Sequence, residues 1–250
     1  MCQEVVQRGS RENVPVPLSW PVNDYRNCKP ATVLPVSVDA RKDVMPPRFL
    51  YFDLGNVLLN FSHRQAAEQM AAVSGVTPEK VWQVVFESGL EHRFGSGALN
   101  DRQYYEQFCE GVGAKPDYDA LFRANSEIFE VNAPIIPLVA QLRAAGNRMG
   151  ILSNVSGPHW HYCSQGRYGI IGKMFEKFVL SYEIGACKPD ARIYHAAAEM
   201  AGVAPEEIFF TDDIPAHVAA AQEAGWDAVP YTTAPALADA LGKRGVRSNY

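Results

Sequence analysis

The chain has 250 residues, of which 47% are hydrophobic and 20% are charged, and its formal net charge at pH 7 is −5. This composition is typical of a soluble globular protein with one large domain, or with a domain that carries an insertion. No long run of Lys or Arg indicates a nucleic-acid partner, and no segment approaches the roughly 18 apolar residues that span a membrane. The five cysteines are scattered and lack C-x-x-C spacing, which favours a reducing compartment, so we expect a cytoplasmic protein.

Residues 1–47 differ from the rest of the chain because prolines recur there with little helical or alternating periodicity. Such a segment is typical of an extended, poorly ordered leader. Met45 lies just before the first convincing strand. The sequence therefore leaves open whether the residues before it belong to the native protein.

The folded part begins with FLYFDLGNVLLNF at residues 49–61, where a buried strand is predicted over residues 48–54. Amphipathic segments follow, with apolar residues three or four positions apart. They cover residues 63–74, 78–87, 101–110 and 117–129. Residues 63–129 are therefore predicted to form an all-helical insertion after the first strand.

Beyond Pro134, predicted helices and strands alternate. The helices cover residues 135–145, 191–201 and 215–224, and the strands cover residues 148–152, 178–181, 208–211 and 228–231. Alternation of this kind indicates a parallel sheet with helices on both faces. We assign residues 48–62 and 130–250 to this α/β core.

Polar residues follow four of the predicted strands. They are Asp53 after the first strand, Ser153 and Asn154 after the second, Lys188 in the loop after the third, and Asp212 and Asp213 after the fourth. Each has an ordinary structural interpretation as a turn residue, a helix cap or a solvated loop lysine. Ligands of open parallel sheets bind beyond the carboxyl ends of the strands, and the joint occurrence of these residues there favours one functional site.

These residues and their order resemble the four motifs of the haloacid dehalogenase superfamily. FDLGNVL is similar to its first motif, ILSN to the second, KPD to the third and FFTDD to the fourth. The residues of the first motif are most like those of α-D-glucose-1-phosphate phosphatases and of the N-terminal phosphatase domain of epoxide hydrolases. The resemblance implies a Rossmann-like, doubly wound parallel sheet with a small helical cap over residues 63–129.

The resemblance also implies roles for individual residues in phosphoryl transfer. Asp53 would be the nucleophile that forms an aspartyl-phosphate, and Ser153 and Lys188 would be the other catalytic residues. Substrate binding would involve Asn56 through its backbone N–H, together with Ser153, Asn154 and Lys188. Mg²⁺ would be held by Asp53, Asp212, Asp213 and the backbone carbonyl of Gly55.

Two positions depart from the usual family pattern. Gly55 stands where many members have a second aspartate, which protonates the leaving group. Loss of such a group typically costs about 10²–10⁴ in rate, least for good leaving groups. His217 stands where many members have Asp or Asn, and we expect it to lie on the helix surface rather than beside the metal ligands.

We therefore predict a Mg²⁺-dependent phosphatase of a small phosphorylated metabolite, with a sugar phosphate favoured. One alternative is a phosphate-binding or partner-binding module that has lost turnover. A metal-independent dehalogenase is another, although it would leave the pair Asp212 and Asp213 unexplained. The sequence does not indicate an oligomeric state.

Overall fold

A computed structural model describes residues 45–248 of the chain. The predicted leader at residues 1–47 lies outside the described residues except for its last three positions. Among the helices of the described part, none combines the length and the apolar character needed to cross a lipid bilayer.

The described residues form an α/β unit interrupted by a block of helices. In chain order its strands and α-helices are β1 (Phe49–Phe52), β2 (Leu59–Asn60), α1 (His63–Ser74), α2 (Pro78–Trp82), α3 (Leu90–Gly95), α4 (Asp101–Val112), α5 (Tyr118–Ser126), β3 (Glu130–Val131), α6 (Ile136–Ala144), β4 (Met149–Ser153), α7 (Gly157–Ser164), α8 (Gly169–Met174), β5 (Lys177–Leu180), α9 (Ser181–Ile184), α10 (Ala191–Ala201), β6 (Ile208–Asp212), α11 (Pro215–Glu223), β7 (Asp227–Pro230) and α12 (Ala234–Gly242). A π-helical segment, Gln83–Glu87, continues α2, and short 3₁₀ turns occupy Ala133–Ile135 and Pro205–Glu207.

The central sheet is parallel and has the strand order β5-β4-β1-β6-β7. Successive side chains of a strand point to opposite faces of the sheet, and β1 shows this directly. Phe49 and Tyr51 belong to one buried apolar cluster, whereas Leu50 and Phe52 belong to another. The sheet is therefore covered on both faces, as the predicted α/β class requires.

The inserted helices α1–α5 enclose a separate apolar cluster and form the cap. Side-chain caps begin several of these helices: Ser62 accepts from the N–H of Gln65, and Asn100 forms a capping box with Gln103. An antiparallel pair of short strands, β2 and β3, closes the base of the insertion. Such two-residue strands carry too little pattern to be predicted from the sequence.

Several predicted boundaries were wrong. The helix predicted over residues 117–129 ends at Ser126, and the one predicted over residues 78–87 changes to π-helix after Trp82. The helices α3, α7, α8, α9 and α12 were not predicted. Four of these five have only four to eight residues, which is too short for a clear apolar period.

Candidate active site

The predicted site residues meet at the carboxyl ends of three adjacent strands. Because β1 lies between β4 and β6, the segments that leave these strands border one cleft. The predicted residues that line this cleft are Asp53, Gly55, Asn56, Ser153, Asn154, Lys188 and Asp213. Asp212 is the remaining member of the set and is fully buried at the end of β6.

Lys188 is a buried lysine that joins two of the carboxylates. Its Nζ lies 2.8 Å from Oδ1 of Asp53 and 2.5 Å from Oδ2 of Asp212, and it donates to the backbone oxygen of Leu152 at 3.0 Å. Burial lowers the pKa of a lysine, but the two carboxylates outweigh it, so the pKa of Lys188 is raised. The ammonium therefore stays charged and provides a fixed positive charge beside Asp53.

Asp53 retains one carboxylate oxygen for chemistry. Oδ1 accepts hydrogen bonds from the N–H of Leu54 and from Lys188, whereas Oδ2 has no hydrogen-bond partner within residues 45–248. Burial raises the pKa of Asp53 to about 7, and the nearby Lys188 limits that rise. A buried carboxylate that is held through one oxygen and free at the other has the arrangement that in-line attack on phosphorus requires.

Asp212 is chiefly the residue that positions Lys188. Besides the ion pair, its Oδ1 accepts from the N–H of Ile214 at 2.8 Å, and Nδ1 of His217 lies 3.1 Å from both of its oxygens. Burial favours the neutral acid, but Lys188 and His217 outweigh it, so the pKa of Asp212 is lowered. The expectation that His217 lies on the helix surface was wrong: its side chain is buried at the cleft, beside the carboxylate of Asp212.

Three carboxylates could hold a metal ion at this edge of the sheet. One ligand oxygen each from Asp53, Asp212 and Asp213 lies within 4.8 Å of the other two. Asp213 is partly exposed, and its Oδ2 accepts from Nδ2 of Asn56 at 3.2 Å. An all-oxygen set with room for water and phosphate oxygens suits Mg²⁺, so the residues present fit the predicted ion.

Two predicted substrate contacts take a different form. The backbone N–H of Asn56 donates to the carbonyl of Leu59 at 2.7 Å rather than pointing to a free site, so its contact with phosphate stays a prediction. The side chain of Asn154 makes reciprocal hydrogen bonds with the backbone N–H and carbonyl of Lys188, at 2.8 and 2.9 Å. Asn154 thereby fixes the lysine loop, while its role in substrate binding stays a prediction.

The structure explains the glycine at position 55. An ideal Cβ placed on Gly55 would lie 2.6 Å from Cε1 of Phe61, well inside van der Waals contact. The Phe61 ring thus fills the space that a longer side chain would need. The Phe61 ring contacts the rings of His63 and Phe129, at centroid distances of 5.0 Å and 5.7 Å.

The cleft continues under the cap as a cavity of ≈ 580 Å³, a size typical of small-molecule sites. Its cap side is lined by Phe61, His63, Trp82, Phe86, Glu91 and Phe129. Hydrogen bonds join the cap to the core. Ser181 Oγ donates to the carbonyl of Gly95 at 2.5 Å, His159 Nε2 donates to the carbonyl of Asn125 at 3.1 Å, and the Tyr168 hydroxyl donates to the carbonyl of Phe129 at 2.5 Å. Sequence reasoning missed Phe61, Glu91 and Ser181 because only tertiary packing brings them to the site.

The fold and this constellation define a hydrolase class. Residues 48–225 match the haloacid dehalogenase-like hydrolase family, and the chain belongs to it. Among its relatives, Phosphatase MT3486 of Mycobacterium tuberculosis is 28% identical over 194 residues, covering 70% of this chain and 82% of that protein. The glyceraldehyde 3-phosphate phosphatase of Methanopyrus kandleri is 34% identical over 122 residues, covering 46% of this chain and 51% of that protein.

A solved structure adds a similar fold with ligands in place. The HAD family enzyme BT-2542 from Bacteroides thetaiotaomicron, crystallised in complex with magnesium and inorganic phosphate, has a TM-score of 0.65 and 25% identity to this chain. The alignment covers 75% of this chain and 95% of that one. The superfamily predicted from the sequence is thus confirmed, while its finer resemblance to sugar-phosphate phosphatases stays a prediction.

Proposed function

We propose that the protein is a Mg²⁺-dependent phosphatase that hydrolyses a small phosphorylated metabolite through an aspartyl-phosphate on Asp53. The observation that carries the proposal is the grouping of Asp53, Lys188, Asp212 and Asp213 around one cleft. A carboxylate nucleophile, a fixed ammonium and a carboxylate cluster are the parts that phosphoryl transfer needs.

The chemistry follows from the contacts of Asp53. Lys188 and the N–H of Leu54 hold Oδ1, so Oδ2 attacks phosphorus and the bond from phosphorus to the substrate alcohol breaks. Water then hydrolyses the aspartyl-phosphate and regenerates the carboxylate. Asp53, Asp213 and Asp212 would hold Mg²⁺, whose charge offsets the negative charge of the phosphoryl oxygens.

The position of the cap over the cleft favours a small and partly polar substrate. The cap covers one side of the cleft, which limits the access of water to the reacting groups. We propose a sugar phosphate as the substrate, in line with the wording of FDLGNVL and with the name of the Methanopyrus kandleri relative. Gly55 provides no proton donor, so esters whose alcohol leaves readily are the better substrates.

A phosphate-release screen tests the proposal. Purified protein is incubated with p-nitrophenyl phosphate and with a set of sugar phosphates, in Mg²⁺ and in EDTA. We expect release in Mg²⁺ and its loss in EDTA. Release that is unaffected by EDTA would contradict a metal-dependent site, and tight binding of phosphate analogues without any turnover would favour a binding module instead.

A further inference from the structure

An arc of aromatic rings lines the cap side of the cavity. In order of contact it comprises Trp82, Phe86, His63, Phe61, Phe129 and His159. Neighbouring ring centroids are separated by 4.7 to 5.7 Å, and all six residues line the cavity. Such a wall binds the flat face of a sugar, and its ring faces also attract cations.

Glu91, at the start of α3, places a carboxyl group at this wall. Its Oε2 accepts a hydrogen bond from the hydroxyl of Tyr104 at 3.3 Å, and its Oε1 lies 3.9 Å from Nδ1 of His159. The Glu91 side chain is only 18% exposed. No sequence motif marks Glu91, because its surroundings come from the distant helices α4 and α7.

Within residues 45–248, Glu91 forms no ion pair with a Lys or Arg, and its basic neighbours are His63 and His159. Burial lowers the pKa of His159 to about 4, so that imidazole is neutral at pH 7. Burial also lowers the pKa of His63, against the pull of Glu91. Among the described residues that line the cavity, Lys188 is the only Lys or Arg, and Asp53 and Asp212 already bind it.

A buried carboxylate without a cation is unfavourable, and burial raises the pKa of Glu91 accordingly. A ligand that places a positive charge beside Glu91 would offset the free-energy cost of burying its carboxylate. A second phosphate or a carboxylate on the substrate would be repelled. Ser156 is another residue that lines the cavity, and its hydroxyl is buried and lacks a hydrogen-bond partner within residues 45–248. It offers a contact for a ligand hydroxyl.

We propose that the substrate is a phosphate monoester whose alcohol carries an ammonium group, as in an amino sugar phosphate, and that Glu91 binds this group. The inference rests on the proposed phosphatase function and narrows its substrate class. Glu91 is thus a specificity-determining residue, and the ring arc supports the face of the same ligand.

Matched substrate pairs test this selectivity. Glucosamine 6-phosphate is compared with glucose 6-phosphate, where the ammonium replaces a hydroxyl, and phosphoethanolamine is compared with ethyl phosphate, where the ammonium replaces a hydrogen. The readout is the ratio of kcat/KM within a pair. For an ester that is not turned over, the readout is its inhibition constant against p-nitrophenyl phosphate. We expect the ammonium member to be favoured by about tenfold or more in at least one pair.

Glu91→Gln keeps the shape and the hydrogen bond to Tyr104 but removes the charge, so it should bring the ratio to about one. Glu87→Gln is the matched control, because Glu87 lies exposed four residues earlier, and it should leave the ratio unchanged. Ratios near one in the wild type, absence of any inhibition, or an equal effect of Glu91→Gln on both members would overturn the inference. In those cases Asp53-dependent hydrolysis of p-nitrophenyl phosphate would still stand, whereas its absence would reject the phosphatase itself.

Discussion

Replacement of Gly55 by alanine tests the close packing at the bottom of the cleft. The new Cβ would lie 2.6 Å from Cε1 of Phe61, where carbon atoms normally approach to about 3.5–4.0 Å. The Phe61 ring must therefore move by about 1 Å against His63 and Phe129. Overpacking of this kind costs about 1–3 kcal/mol, and the lower chain entropy of the unfolded alanine variant returns about 0.4–1 kcal/mol.

Urea unfolding of four proteins measures the effect: wild type, Gly55→Ala, Phe61→Ala and the double variant. We expect Gly55→Ala to lower the free energy of unfolding in the wild-type background and to leave it equal or higher when Phe61 is absent. The coupling between the two substitutions should be about 1–3 kcal/mol. Strictly additive effects would refute the idea that the Phe61 ring is the reason for the glycine.

Three further predictions follow from the contacts of the site. Lys188→Met leaves Asp53 and Asp212 as buried neighbouring carboxylates, so the free energy of unfolding should fall by about 3–5 kcal/mol at pH 7. The loss should be smaller at pH 5, where these groups take up protons, and equal losses at both pH values would contradict the ion-pair account. In the folded protein the pKa of His159 is lowered to about 4, so as the pH drops from 6.5 the unfolded chain is protonated before the folded one. The free energy of unfolding should therefore fall between pH 6.5 and pH 4, by about 3 kcal/mol for this residue. His159→Gln should flatten the urea-unfolding profile in that window, and an unchanged slope would be the contrary result. Asn154→Ala removes both hydrogen bonds between the Asn154 side chain and the Lys188 backbone, which should destabilise the protein by about 1–3 kcal/mol. For p-nitrophenyl phosphate it should lower kcat more than it raises KM. Unaltered kinetics would mean that the lysine loop holds its position without these two hydrogen bonds.

The sequence predicted the core because its signals are local. The apolar strand before Asp53, the alternation after Pro134 and the motif residues at strand ends all follow from neighbouring positions in the chain. Periodicity also indicated helices in the cap, although the end of the helix predicted over residues 117–129 was wrong. The π-helical turn at Gln83–Glu87 was not predicted, because no pattern in the sequence marks it.

The parts that escaped prediction depend on contacts between distant segments. His217 looked like a surface residue because helix periodicity does not show that Asp212 lies beside it. The backbone N–H of Asn56 was predicted to donate to phosphate, whereas in the structure it donates to the carbonyl of Leu59. Phe61 and Glu91 carry no motif, and only the folded cap brings them to the cavity.

The central claim is that Asp53 is the nucleophile of a Mg²⁺-dependent phosphatase. The most direct measurement compares phosphate release from p-nitrophenyl phosphate by the wild type, Asp53→Asn and the control Asp239→Asn, whose carboxylate lies exposed on α12. We predict Mg²⁺-dependent turnover by the wild type and the control, and a rate lower by about a thousandfold or more for Asp53→Asn. Equal release by the wild type and Asp53→Asn would contradict the account.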